Sequence, residues 1–114
     1  MSIFSGQKSS TAQVSDVSVM EAAALLRQGA GLIDVHEPFE FAVGHARGAL
    51  NVPLGQLAGR VGEIPAVPVL LVICQSGNRS RVACEILAAR QASGVRNVAG
   101  GTQSWQAAGL PMGS

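Results

Sequence analysis

Val69-Leu-Leu-Val-Ile-Cys74-Gln-Ser-Gly-Asn-Arg-Ser80 is the stretch that decides how this chain folds. Its first five residues are large aliphatics, bounded by Pro68 on one side and by a polar, glycine-containing loop on the other. An apolar run with no polar residue at alternate positions predicts a central strand covered on both faces. Beyond the loop, a helix is expected from Ser80 to Ala92, with Val82, Ala83, Ile86 and Leu87 in one stripe and Gly94 at its end.

The flanking sequence repeats the same alternation. Ser18-Val-Met-Glu21 has capping-box spacing, Val19, Ala22, Ala23 and Leu26 share one helical face, and Gly29 supplies a stop, so a first helix is expected there. Leu32 to Val35 reads as a buried strand ended by His36-Glu-Pro38, followed by a short helical turn through Val43. Leu50 to Leu54 reads as another strand end, and Gln56 to Val61 as a short helix or irregular link weakened by its glycines. Val95 to Val98 predicts a further strand, and Thr102 to Ala108 a last helix stopped by Gly109. Strands alternating with helices predict an α/β fold: a small, mostly parallel central sheet with helices on both faces, joined by right-handed crossovers. In such sheets ligands bind beyond the carboxyl ends of the strands, where Cys74 sits.

Composition bounds the rest. The chain has 114 residues, enough for one hydrophobic core, and only 13% of them are charged. Residues 12–112 are expected to form the domain, behind a flexible N-terminal segment of residues 1–11. A net charge of +1 with scattered arginines leaves no basic stripe, so no nucleic-acid partner is expected. No apolar run approaches a bilayer span, and the Ser-rich start lacks a signal-peptide core, so no membrane partner and a cytoplasmic location are expected. Two cysteines are a thin framework for a secreted domain, and free thiols fit better.

Chemistry concentrates in Cys74-Gln-Ser-Gly-Asn-Arg-Ser80. Gly77 can take backbone angles that other residues resist, letting successive N–H groups point inward beside the positive end of the following helix. Such donors attract an anion, and for the same reason they favour a thiolate at Cys74 over a thiol.

Taken together, three stretches resemble the single-domain rhodaneses, the rhodanese-like sulfurtransferases. They are Leu32-Ile-Asp-Val-His-Glu-Pro-Phe-Glu-Phe41 with Gly44-His45 and Gly48-Ala-Leu-Asn-Val-Pro53; Val72 to Ser80; and Asn97-Val-Ala-Gly-Gly101 with Trp105. The resemblance implies that Cys74 takes sulfane sulfur from thiosulfate or a persulfide donor, becomes a persulfide, and passes the sulfur to a thiol, cyanide or a protein sulfur acceptor. Gln75, Ser76, Gly77, Asn78 and Arg79 are carried over as the cradle, acting mainly through backbone N–H groups, with Asp34, Glu37 and Ser80 supporting the loop. Gln75 and His36 stand where the family often has arginine, which removes positive charge that would draw in a dianionic donor.

Other assignments stay open at this point. Arg79 either meets the donor or pairs with Asp34 or Glu37 to hold the loop. Arg47 is a second candidate for donor recognition, with a merely solvated side chain as the alternative. His36 and His45 read as loop structure, Cys84 as a buried inert thiol, and Trp105 as closing the core. The histidines and cysteines lack metal-ligand spacing, so no metal and no cofactor are expected. Rival readings are a relay or protein-binding module without free turnover, and a cysteine phosphatase or arsenate reductase. The four residues between Cys74 and Arg79 argue against the phosphatase, whose loops of this kind have a wider ring.

Overall fold

The aliphatic run becomes the hub of the sheet. A computed structural model of the chain describes residues 14–90, 92 and 94–113; the segment 1–11 lies outside the described residues. The elements in order are β1 (Ser15–Val17), α1 (Val19–Arg27), β2 (Gly31–Asp34), α2 (Pro38–Val43), β3 (His45–Ala46), β4 (Leu50–Asn51), 3-10 turns over Leu54–Glu63, β5 (Leu70–Ile73), α3 (Asn78–Ala89), β6 (Val95–Val98), α4 (Gly101–Ala107) and β7 (Met112–Gly113). Strands β1-β6-β5-β2-β4 form one sheet in which every pairing is parallel.

All four residues of β5 are buried, and they alternate between two half-cores. Leu70 and Val72 face Ile33, Val35, Val52, Leu57 and the inner side of α3, whereas Leu71 and Ile73 face α1, Val98 and Trp105. This explains why no polar residue interrupts the run. The capping box also forms as read: Ser18 Oγ accepts from the Glu21 N–H at 3.1 Å and Glu21 Oε1 accepts from the Ser18 N–H at 2.8 Å. Trp105 is buried, donating from Nε1 to the Pro111 carbonyl at 2.8 Å.

Several expectations need correction. The helix after the loop starts at Asn78 rather than Ser80 and ends at Ala89 rather than Ala92. Gly77, at φ 103°, turns the chain sharply enough for the last loop residues to serve as the first helical turn. Its buried stripe is Ser80, Ala83, Cys84 and Leu87, while Val82 is 46% exposed. The stripe is counted from a serine whose hydrogen bonds lie inside the protein, which apolar spacing alone cannot reveal. The strand expected over Leu50 to Leu54 keeps only Leu50–Asn51, since Pro53 has no N–H to continue the ladder. The last helix spans Gly101–Ala107, one residue earlier than read. Strand β1 and the antiparallel β3–β7 pair, too short for a periodic signal, were not foreseen. Among the described residues no helix is long and apolar enough to cross a membrane.

Leu71 is fully buried at the centre of one half-core. Truncation to alanine should lower the unfolding free energy by about 2–5 kcal/mol, read from urea denaturation.

Candidate active site

Cys74 follows β5 directly and lies at the carboxyl end of the sheet, where the loop must pass from strand to helix. The turn is fixed from below. The Thr102 N–H donates to the Cys74 carbonyl at 2.8 Å and the Gln103 N–H to the Gln75 carbonyl at 3.1 Å, so the opening turn of α4 takes both loop carbonyls. Gly101 makes this approach possible. It sits at φ 58°, and a Cβ there would run into the carbonyl oxygens of Cys74 and Gln75.

With its carbonyls turned to α4, the loop directs N–H groups to the sulfur. Cys74 Sγ accepts from the Gly77 N–H at 3.2 Å and from the Ser80 N–H at 3.3 Å, and lies 3.3 Å from Ser80 Oγ. Burial pushes the Cys74 thiol up and is the largest single influence. The Ser80 hydroxyl and the N–H groups of Ser80, Gly77 and Ser76 together outweigh it, leaving the thiol below its ordinary value. Cys74 is 1% exposed, so the sulfur lies at the foot of the loop rather than on its rim. Gln75, Ser76 and Asn78 are exposed around it, Gly77 is buried, and Arg79 is partly buried.

Arg79 takes a partner that was not foreseen. Its guanidinium reaches Glu40 in bidentate fashion, Nη1 to Oε1 at 2.7 Å and Nη2 to Oε2 at 3.1 Å, rather than Asp34 or Glu37. The Glu37 side chain is exposed and is not the partner of Arg79; its backbone N–H donates to Glu40 Oε1 at 2.9 Å. Asp34 supports the chain after β2 instead: Oδ1 accepts from the His36 N–H at 2.8 Å and lies 2.7 Å from His36 Nδ1, without hydrogen-bond alignment to that ring nitrogen. Burial raises the Asp34 carboxyl, against the opposing pull of the His36 N–H and the nearby histidines. Glu40 was missed because a glutamate in a short helix gives no signal that a distant arginine will reach it.

Ser80 is buried, and its hydroxyl meets Asn97 Oδ1 of β6. Asn97 Nδ2 in turn donates to Asp16 Oδ1 at 3.1 Å and to the Gly77 carbonyl at 3.3 Å. In the sequence Asn97 reads only as the start of a motif. The remaining candidates stand apart from the sulfur's hydrogen bonds. His45 stacks on Phe41 with ring centroids 3.6 Å apart, and its Nδ1 donates to the Phe41 carbonyl at 2.8 Å. Arg47 is exposed and lines a cleft with Arg27, Leu110 and Trp105. Cys84 is fully buried and pushed up to about 12, chiefly by that burial. No group of three metal-ligating side chains is gathered among the described residues.

The sequence profile of the rhodanese-like domain matches residues 18–108. A thiosulfate sulfurtransferase 16 of Arabidopsis thaliana, chloroplastic, is 37% identical over 85% of this chain and 91% of its own length. A sulfurtransferase of Allochromatium vinosum is 36% identical over 71% of this chain and 76% of its own. Among solved structures, a rhodanese-related protein from Thermoplasma volcanium superposes with a TM-score of 0.78 at 28% identity, covering 87% of this chain and 97% of that one.

The Arg79–Glu40 pair has a pH signature. Hydrogen bonds from Arg79, then the Glu37 N–H, hold the Glu40 carboxyl down at about 2, against an ordinary 4.5. A depressed acid contributes its stability in full above its ordinary value and loses it as the pH falls towards the folded one. Glu40→Gln should therefore flatten the fall in denaturation midpoint between about pH 5 and about pH 3 relative to wild type.

Proposed function

This chain belongs to the rhodanese-like domain family, and on that premise we propose that it is a sulfurtransferase working through a Cys74 persulfide. The observation that carries the reading is the pair of main-chain donors, Gly77 N–H and Ser80 N–H, directed at one sulfur at the end of β5. Donors fixed in advance stabilise negative charge there without having to reorganise as it forms.

The Cys74 thiolate attacks the outer sulfur of the donor. A sulfur–sulfur bond forms, the bond to the leaving group breaks, and the electron pair departs with sulfite when thiosulfate is the donor. In the second half-reaction an acceptor thiolate or cyanide attacks the outer sulfur of the persulfide, and Cys74 leaves as a thiolate. No general base is required at either step, in keeping with a sulfur whose hydrogen-bond partners are Gly77 and Ser80 and not a histidine.

The donor's charge matters for capture. Both terminal nitrogens of the Arg79 guanidinium are engaged by Glu40, and Gln75 on the rim is neutral. That arrangement favours a donor of low charge, such as a persulfide, over a dianion. A relay role with a protein acceptor uses the same persulfide and differs only in what collects the sulfur.

Incubation with a persulfide donor should add one sulfur atom to Cys74, read as a mass shift reversed by cyanide. Cys74→Ser should abolish both loading and turnover, while Cys84→Ala should keep loading. Absence of a shift with thiosulfate and with a low-molecular-weight persulfide would reject the reading, as would release of phosphate from an aryl phosphate. Loading without multiple turnover would favour the relay. Gln75→Arg should lower KM for thiosulfate roughly two- to fivefold, since one rim charge is restored.

A further inference from the structure

The Ser80 hydroxyl has one proton to give, and two atoms are placed to take it. Cys74 Sγ lies 3.3 Å away, and Asn97 Oδ1 lies on the other side in the shortest hydrogen bond of the site. Asn97 cannot be turned round. Its Nδ2 faces Asp16 Oδ1 and the Gly77 carbonyl, both acceptors, so Oδ1 must face Ser80, and it can only accept.

With Cys74 as a thiol the pattern closes without conflict: the S–H donates to Ser80 Oγ, and the Ser80 O–H donates to Asn97. With Cys74 as a thiolate it does not close, because the sulfur now calls for the proton that Asn97 holds. The charged acceptor is the stronger one. Yet Asn97 is 1% exposed, so no solvent replaces the hydrogen bond its oxygen gives up.

We propose that Asn97 is a positioning residue that restrains ionisation of Cys74 by competing with the sulfur for the Ser80 hydroxyl proton. When Cys74 ionises, the S–H bond breaks and its proton leaves to solvent; the Ser80 O–H bond stays intact and rotates from Asn97 to the sulfur. The N–H groups of Gly77 and Ser80 pull towards the thiolate, and Asn97 pulls back. The inference rests on Cys74 as the reacting sulfur, but it is tested by protonation, so failure of sulfur transfer and failure of the competition are separate results.

The charged and titratable groups around the sulfur are Arg79 and Cys84 of α3, Asp34 at the end of β2 and His36 after it, Glu40 behind Arg79, and Asp16 with Arg81 behind Asn97. All are kept in the variants used, and Asp16, which loses its Asn97 hydrogen bond in Asn97→Ala, loses it in both Ser80 backgrounds, so its field cancels between them. The Cys74 thiolate is titrated by its ultraviolet absorbance, with Cys74→Ser as the blank, in wild type, Asn97→Ala, Ser80→Ala and the double variant. Asn97→Ala should move the titration down by about one pH unit, a tenfold rise in thiolate below the midpoint, and should move nothing further when Ser80 is already alanine. No downward shift, or an equal shift in both backgrounds, overturns the proposal, because Asn97 then acts only by holding the loop. Should Asn97→Ala fail to fold, wild type carries the test through the side-chain carbonyl carbon of Asn97, followed by NMR. Its resonance should titrate in step with Cys74 and stay flat in Cys74→Ser, and a flat profile in wild type overturns the proposal.

Discussion

The first turn of α4 grips the carbonyl oxygens of Cys74 and Gln75, and the geometry of the sulfur depends on that contact. A peptide unit whose carbonyl is held on one side presents its N–H on the other, so holding the Gln75 carbonyl orients the Ser76 N–H, one of the groups that favour the charged sulfur, and fixes the start of the loop whose Gly77 and Ser80 N–H groups complete the set. The contact tolerates no side chain at Gly101, and it is buttressed by Asn97, which holds the Gly77 carbonyl from the neighbouring strand. The site is therefore built by two segments, the loop after β5 and the turn after β6, brought side by side by parallel pairing of those strands.

The two cysteines put the balance of forces on display within one core. Cys74 and Cys84 are both buried in the same apolar cluster. Cys84 lies within α3, where the backbone N–H groups are committed to the helix, and burial, the largest influence, drives its thiol up to about 12. Cys74 meets the same penalty and ends below its ordinary value, because oriented dipoles oppose it. Residue type and burial are nearly matched; what differs is where nearby N–H groups point.

Much of this was legible in the sequence. Five aliphatics before Cys74 gave a strand buried on both faces, and the flanking alternation gave a parallel sheet, because both signals rest on periodicity within a short window. The sharp turn at Gly77 could be read because a glycine in a polar loop after a strand has few alternatives. What escaped was long-range. Glu40 reaches Arg79 across 39 positions of sequence and Asn97 reaches Ser80 across 17, and nothing local marks either partner. The buried stripe of α3 escaped for a related reason: Ser80 belongs inside only because Asn97 and Cys74 are there to meet its hydroxyl. Asp34 and Glu37 are the carboxylates the sequence offers Arg79, yet Glu37 lies one helical turn short of Glu40, the position that meets the guanidinium.

Cys74 itself is recessed, and this shapes how a cargo atom would be handed over. A disulfide-type bond is about 2 Å long, so an added sulfur stands that much further out than the atom anchoring it. In the proposed persulfide an acceptor would then meet the added sulfur and not Cys74 itself. At 1% exposure the sulfur offers little surface to bulky oxidants and thiols, so on the proposed chemistry protection of the unloaded form and presentation of the loaded one would be a single property of depth.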